Sequence, residues 1–206
     1  MRRSRARWPR VVSSVLCGAL VLGACSVETS TSSDPGDESH LDDGPADLLR
    51  EADAATDAIA AIEQQVGASP ARVRDVLVYP EFLDVEAQDP ALPEHIDEYT
   101  YRDGDIEPAE AVLLTGPQEE VEASLFPTTA VDWSDLPAIV KRVERAARDA
   151  EPLRIEEARV SYVIARRSTS SEDDGRVELT AYINGPRRSG SAELTATGEI
   201  LVLHVS

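Results

Sequence analysis

The chain has 206 residues, 42% of them hydrophobic, and a formal net charge of −19. This length suffices for one medium domain or two small ones, provided that most of the chain folds around a core. A surface this acidic repels nucleic acid and anionic lipid headgroups, and no basic stripe interrupts it, so the composition argues against nucleic acid as a partner.

The amino terminus has the pattern of an export signal. Residues 1–10 carry five arginines and no acid, and an apolar run of the length expected for a signal peptide follows. The run ends in the letters LGAC at residues 22–25, which resembles the lipobox of bacterial lipoproteins of the actinobacterial type. The resemblance implies that residues 1–24 are a signal peptide and that Cys25, the new amino terminus, receives a lipid anchor.

A lipid on Cys25 would tether the protein to the extracytoplasmic face of the cell membrane. The alternative is an ordinary secretory signal that happens to end near a cysteine, and either the general or the twin-arginine route could export it. Removal of the signal takes five arginines and no acid, so the formal charge falls to about −24. Cys17 leaves with the signal, and we therefore expect no disulfide, no thiolate metal site and no cysteine nucleophile.

Residues 25–44 predict a tether. The segment after Cys25 is acidic and rich in Ser, Thr, Asp and Gly. It contains too little apolar surface to fold, so we expect it to be disordered and to link the lipid to a folded part that begins at Pro45.

Residues 45–116 predict a first unit of one helix and about four strands. Apolar residues recur at steps of three and four from Leu48 to Val66, and Gly67 ends this stripe. Short runs rich in Val, Leu, Phe, Tyr and Thr follow, separated by Pro and Asp-Gly breaks. These runs predict strands at residues 72–79, 81–87, 95–102 and 110–115.

The same order returns after a connector at residues 117–134. Ser134 or Asp135 would cap a second helix, and four strand patterns complete a second unit at residues 135–206. In the first two patterns, apolar residues alternate with more polar ones and are expected to face a core. They are Ala158, Val160, Tyr162 and Ile164 in the first pattern, and Val177, Leu179, Ala181 and Ile183 in the second.

The expected fold class is α+β, with two tandem units that each pack a helix on a roughly four-stranded antiparallel sheet. Each unit alone would have a marginal core, so we expect the two to share an interface. Either one joined sheet or two packed domains would satisfy this expectation, and the oligomeric state stays open.

Both units contain a strand, a glycine turn and a second strand, at YTYRDGDIE and at ELTATGEILVL. The second hairpin is similar to the closing hairpin of PepSY-type domains, exported modules in which a helix lies on a small antiparallel sheet. The tandem order also resembles, in architecture, the secreted β-lactamase inhibitory proteins of filamentous actinobacteria. These resemblances imply a non-catalytic binding or inhibitory module of the cell envelope, and they assign no functional residue.

Patterns for catalysis and metal binding are weak. His40, His95 and His204 are the only histidines, no two share a ligand spacing, and no Gly-x-Ser-x-Gly elbow occurs. Three acidic clusters offer oxygen ligands, but none has the order of a calcium-binding EF-hand loop. We expect no metal, no cofactor and no enzymatic activity. The alternative is an envelope hydrolase that uses His95 or His204 in an unrecognised site.

Two pairs of residues are candidates for binding. Arg187 and Arg188 lie at a predicted turn and could hold a carboxylate or phosphate, unless they pair with local acids. Tyr99 and Tyr101 would share one face of a sheet and could serve either binding or core packing. The function that we expect is a lipid-anchored envelope protein that binds an unknown protein or envelope ligand. An inhibitor or modulator of an exported enzyme is the alternative.

Overall fold

The structure, a computed structural model, describes residues 46–168 and 175–206. The predicted signal peptide, Cys25, the tether with His40, and two of the acidic clusters, at residues 34–44 and 171–174, lie outside these ranges. Within the described ranges, no helix has the length and apolar character needed to cross a bilayer.

The first helix, α1 (Ala54–Val66), begins later than the predicted start at Pro45, whereas Gly67 ends it as predicted. Asp47 closes a separate turn before the helix. Its side chain accepts a hydrogen bond from the Leu49 N–H, and its carbonyl accepts hydrogen bonds from the N–H groups of Arg50 and Glu51. Asp53 then has a φ of 63°, a left-handed conformation that separates this turn from the helix. The two leucines of the turn are nevertheless buried: Leu48 and Leu49.

Three strands of the first half lie close to their predicted positions: β1 (Arg72–Val78), β2 (Phe82–Gln88) and β3 (Ile96–Arg102). They pair antiparallel in sequence order. The strand predicted at 110–115 is much shorter than expected. Only the two-residue β5 (Glu110–Ala111) pairs with β3 there. The two-residue β4 (Asp105–Ile106) also pairs with β3 and is the second strand of the predicted hairpin at YTYRDGDIE.

The segment at residues 117–134, predicted only as a connector, has a structure of its own. It contains a short helix, α2 (Gln118–Ser124), and a two-residue strand, β6 (Phe126–Pro127). Two 3-10 turns follow, Thr128–Ala130 and Trp133–Asp135, and the second leads directly into the long helix α3 (Leu136–Asp149). β6 pairs with the start of β1, so this segment belongs to the sheet. Asp132 caps the last 3-10 turn by accepting a 3.1 Å hydrogen bond from the Ser134 N–H, whereas the side chain of Asp135 caps nothing.

Four strands complete the chain, as predicted for this half: β7 (Arg159–Arg167), β8 (Val177–Asn184), β9 (Ser189–Thr195) and β10 (Ile200–Val205). In β8 the inward side chains Leu179, Ala181 and Ile183 are buried, which confirms the predicted alternation there.

The alternation predicted for β7 is wrong beyond Val160. The register with β8 shifts between Val160 and Tyr162, where an extra residue interrupts the pairing. Side chains after this bulge exchange faces, so Val163 and Ala165 enter the core. Tyr162 and Ile164 therefore point to the opposite face of the sheet.

Within the described residues the strands form one antiparallel sheet of ten strands. Its order is β10-β9-β8-β7-β1-β2-β3-β4, with β5 beside β3 and β6 beside β1. The two halves meet where β1 pairs with β7, from Asp75 opposite Arg166 to Val78 opposite Val163. Of the two arrangements that the sequence left open, the structure has the joined sheet.

One face of this sheet carries the core. Helices α1 and α3 pack on it, and seven strands contribute buried side chains to one continuous cluster. The mixture of helices with a large antiparallel sheet confirms the α+β class. On the other face, α2 and Val112 cover the end near Ile96 and Gln88. The remainder of that face carries half-buried and exposed side chains.

Candidate functional site

The side chains that point away from α1 and α3 form a second surface of the sheet, which we call the open face. Four aromatic rings stand on it in one line, although they come from distant parts of the sequence. Three of them are half-buried, and the fourth, Tyr182, is 36% exposed. We call them the aromatic row: Tyr79, Phe82, Tyr162 and Tyr182.

Strand register aligns one half of the row. Tyr162 lies directly opposite Tyr182 between β7 and β8. At the junction of the halves Val78 lies opposite Val163, which sets the next residue, Tyr79, beside Tyr162. The row therefore crosses the β1–β7 junction without a break.

A tight turn aligns the other half. The Tyr79 N–H donates a 2.9 Å hydrogen bond to the Phe82 carbonyl and closes the turn between β1 and β2. Arg102 of β3 lies opposite Phe82 in the sheet. Its guanidinium carbon is 4.3 Å from the centre of the Phe82 ring, a cation–π contact that ends the row.

The rings are stacked face to face along the direction in which neighbouring strands succeed one another. Ring centres are 4.4 Å apart for Phe82 and Tyr79, 5.0 Å for Tyr79 and Tyr162, and 4.4 Å for Tyr162 and Tyr182, with planes inclined by 16°, 24° and 16°. These spacings match the distance between adjacent strands. The inner rings are covered on both faces, so they present ring edges and, at the tyrosines, hydroxyl groups to an approaching molecule.

The Tyr162 hydroxyl in the middle of the row remains protonated at neutral pH. Burial raises the pKa of Tyr162 above its usual value, and the neighbouring Tyr182 and Tyr79 raise it further. A protonated phenol both donates and accepts hydrogen bonds. The row thus combines apolar contact area with polar groups that fix orientation, the combination found in aromatic residues at protein interfaces.

An apolar pair and a group of carboxylates lie beside the row. Leu77 and Ile164, opposite each other at the junction of the halves, are half-buried on the open face. The next positions along β1, β2 and β3 on this face carry acids, namely Asp75, Asp84, Glu86 and Glu98.

Some of these carboxylates are paired. Asp75 accepts a 3.1 Å hydrogen bond from Arg166, Glu86 a 2.5 Å hydrogen bond from Arg74, and Asp84 a 2.7 Å hydrogen bond from Thr100. Burial raises the pKa of Asp75, although the positive charge of Arg166 acts against this.

The Glu98 carboxylate forms no hydrogen bond or ion pair with another described residue, although its backbone pairs with Glu86 in the sheet. Burial raises its pKa, and repulsion from Asp84, Glu86 and Glu110 raises it further. The electrostatic potential at this end of the open face is therefore negative, which favours the binding of a cationic group.

Tyr99 and Tyr101, the tyrosines that the sequence marked as candidates, lie on the opposite face. Tyr99 is 9% exposed and belongs to the core cluster, and Tyr101 packs against it. Both side chains therefore face the core rather than the open face.

The other predicted pair lies outside the open face. Arg187 and Arg188 are exposed in the turn between β8 and β9 and line a cavity together with Pro152, Arg154 and Glu156. They share no contact with the aromatic row.

The two histidines of the described ranges, His95 and His204, are separate from each other. His95 is exposed before β3, whereas His204 is in β10, with its Nε2 3.4 Å from Glu193 Oε1. Ser191 lies opposite His204 in the sheet, but within the described residues no serine hydroxyl donates to either histidine. No group of three or more potential metal ligands occurs in the described part of the chain.

Sequence reasoning missed the aromatic row for two reasons. The bulge in β7 reversed the expected side of Tyr162, and the pairing of β1 with β7 is not encoded by any local pattern. The available signal was the aromatic pair that flanks the Pro80-Glu81 turn, since residues on either side of a two-residue turn pair with each other.

No family model, no curated protein and no solved structure matches the chain. The resemblances to the lipobox, to PepSY-type domains and to β-lactamase inhibitory proteins stay predictions from short motifs. The geometry of the open face therefore carries the functional argument.

Proposed function

We propose that this chain is a non-catalytic, lipid-anchored protein of the cell envelope that binds another protein on the open face of its sheet. The observation that carries the proposal is the aromatic row, a line of four stacked rings with Arg102 at its end. A few residues supply most of the binding energy at protein interfaces, and tyrosine and arginine are enriched among them.

The stacking of the row favours a protein over a sugar as the occupant. A sugar binds by lying flat on an exposed aromatic face, whereas the faces of the inner rings Tyr162, Tyr79 and Phe82 are covered by their neighbours. Ring edges and hydroxyls suit apolar side chains and backbone amides, which a protein surface presents together.

The acids beside the row specify the charge of the partner. Glu98 is surrounded by like charges, and a lysine or arginine of a partner placed there would relieve their repulsion. We therefore infer a partner that brings apolar side chains to the row and a cationic side chain to Glu98. Charge complementarity of this kind increases the association rate most at low salt.

The proposal includes a tandem organisation of the chain. Each half has one long helix followed by its strands. The first strand after the long helix is β1 in one half and β7 in the other, and these two strands pair with each other. A row that crosses this junction requires both halves, so the binding surface would be a product of the tandem arrangement.

The test is site-specific photo-crosslinking in intact cells of the native host. A photoreactive phenylalanine replaces Thr180, which lies on the open face between Ile164 and Glu193. The matched control places it at Lys141, exposed on α3. We expect one product of defined mass from position 180, and little from position 141.

A second variant ties the product to the row. Tyr182→Ala removes its most exposed ring and should lower the yield from position 180 by about fivefold or more, as expected for an interface anchor. Equal products from positions 180 and 141, or a yield that Tyr182→Ala leaves unchanged, would contradict docking on the open face.

A second candidate function is inhibition or modulation of an exported enzyme. The specific observation in its favour is a continuous sheet whose uncovered face carries tyrosines, a surface suited to blocking an active site. If the crosslinked partner is an enzyme, its activity should fall on addition of stoichiometric chain and recover with Tyr182→Ala. Unchanged activity in the complex would leave simple binding as the function.

The anchor has a separate test. Cys25→Ala should move the protein from the membrane fraction to the culture medium, because the thioether-linked lipid would be lost. Retention in the membrane fraction would refute lipidation at Cys25, and it would leave the argument for the open face intact.

A further inference from the structure

A cavity of about 260 Å³ lies between the segment after α3 and the turn between β8 and β9. Three of its five lining residues are arginines, Arg154, Arg187 and Arg188, and the others are Pro152 and Glu156. We propose that this cavity is an anion site that binds the phosphate group of an organic phosphate. The site is independent of the open face and of its proposed partner.

The charge of the cavity is the first support. Arg154 lies 3.7 Å from Glu156, a long ion pair between exposed side chains. Arg187 and Arg188 form no ion pair or side-chain hydrogen bond with any described residue, although the chain has almost twice as many acids as bases. The lining carries a net charge of about +2, which a phosphate dianion would balance.

The two free guanidinium groups are the second support. A guanidinium presents parallel N–H donors in a planar fork that matches two oxygens of a phosphate. Arg187 and Arg188 are adjacent in a turn and line the same cavity, so their forks can bind one anion. A singly charged carboxylate would leave the cavity with uncompensated positive charge.

The backbone of the cavity is fixed by close packing. Gly185 N–H donates a 2.9 Å hydrogen bond to the Arg188 carbonyl and closes the turn. A Cβ at Gly185 would lie 2.5 Å from Ile155 Cγ2 and 2.6 Å from the Glu156 carbonyl oxygen, so the turn rests directly on the opposite wall.

Ile155 holds that wall in place. Its side chain is fully buried, and its N–H donates a 2.9 Å hydrogen bond to the carbonyl of Ala147 at the end of α3. Since both walls are held by backbone contacts, the arginines extend from a rigid frame. Preorganisation of this kind reduces the entropy lost when a ligand binds.

The phosphate group could belong to a free phosphate ester or to a lipid headgroup near the anchor. The probe for the first source is glycerol 1-phosphate, titrated calorimetrically into the full chain in a neutral detergent at fixed ionic strength. The probe for the second is phosphatidic acid, whose headgroup is also a phosphate monoester, added to the same micelles, with phosphatidylcholine as its control. Displacement of glycerol 1-phosphate by phosphatidic acid alone supports a headgroup, and no displacement supports a free ester.

The double variant Arg187→Gln/Arg188→Gln should weaken binding of glycerol 1-phosphate at least about tenfold, since hydrogen bonds between charged groups are lost. Both arginines are exposed, so the fold should persist, and circular dichroism checks this. The control Arg145→Gln removes an exposed arginine of α3 and should change affinity less than about twofold.

Three outcomes would overturn the proposal. The first is that neither probe binds to the wild type. The second is that the double variant binds as tightly as the wild type, and the third is that Arg145→Gln weakens binding as much as the double variant. The last result would mean that only the overall charge matters.

Discussion

Gly198, in the turn between β9 and β10, occupies a position where only glycine fits. Its φ is +77°, and a Cβ there would lie 2.4 Å from Ile139 Cγ1 of α3. Gly104, in the turn between β3 and β4, has a similar φ of +88° but no atom within 4 Å of a Cβ. The two glycines therefore separate the cost of a left-handed backbone from the cost of a steric clash.

We expect Gly104→Ala to lower the free energy of unfolding by about 1 kcal/mol, the cost of a left-handed conformation for alanine. Gly198→Ala should lower it by about 2–4 kcal/mol, because overpacking against α3 adds to that cost. Urea denaturation measures both values. An equal loss in the two variants would contradict the close approach of the β9–β10 turn to α3.

Glu98 should make stability depend on pH. Its pKa is raised by burial and by three neighbouring acids, so the folded chain holds this proton more tightly than the unfolded chain does. The contribution of Glu98 to stability is therefore fully present below the usual glutamate pKa of about 4.5 and is lost as pH rises through the raised value.

The variant Glu98→Gln should lose this part of the pH dependence. Between pH 4.5 and neutrality, the urea midpoint of the wild type should fall relative to that of the variant, and added salt should reduce the difference by screening. Glu119→Gln, at an exposed position of α2, is the control and should follow the wild type. Parallel wild-type and Glu98→Gln profiles would show that the neighbouring acids do not repel Glu98.

At the scale of elements, Glu144 connects three parts of the fold. It is 7% exposed on α3, and its Oε1 accepts hydrogen bonds from Arg50 Nη2 at 2.9 Å and from the Val160 N–H at 3.1 Å. Arg50 also donates to the Val160 carbonyl at 2.8 Å. The start of β7 is thereby fixed both to α3 and to the turn before α1.

Glu144→Ala should lower the free energy of unfolding by about 3 kcal/mol, because it removes a charged partner of Arg50 and leaves the Val160 N–H without its acceptor in a poorly solvated place. Glu144→Gln keeps an amide oxygen for the Val160 N–H and should cost about half as much. Urea denaturation distinguishes the two. A loss for Gln as large as that for Ala would mean that only the charge of Glu144 contributes.

For the whole molecule, the junction of β1 with β7 determines whether the halves fold together. Ala165 is 1% exposed and lies opposite Val76 at this junction. The adjacent Ile164 points to the open face and is half-buried. An aspartate at position 165 therefore tests the core side of the junction, and an aspartate at position 164 tests its open face.

Ala165→Asp should destabilise the chain by about 3–5 kcal/mol, the cost of an unpaired buried charge, and Ile164→Asp by about 1 kcal/mol. Hydrogen exchange should show that Ala165→Asp lowers protection in β2 and β3 as much as in β8 and β9, because one core joins both halves. Loss of protection in β7 to β10 alone would show that the halves fold independently.

Much of the fold follows from local sequence. Runs rich in strand-forming residues predicted β1, β2 and β3 to within about one residue at each end, and alternation predicted the buried face of β8. Gly67 also ends α1 as predicted. These features depend on neighbours within a few positions. The start of α1 differed because Asp53 adopts a left-handed conformation, which few residues other than glycine favour and which the helical stripe concealed.

The sequence by itself determined the order of the two long helices and of the seven longer strands, and the glycine turns, because short-range preferences specify each of them. The signal pattern ending at Cys25 stays a prediction. The tertiary structure alone decided that β1 pairs with β7 and that a bulge after Val160 turns Tyr162 outward. Those two events assemble the aromatic row, and both depend on the register between strands far apart in the chain. A shift of one residue exchanges the faces of a strand, so no local pattern can place Tyr79 beside Tyr162.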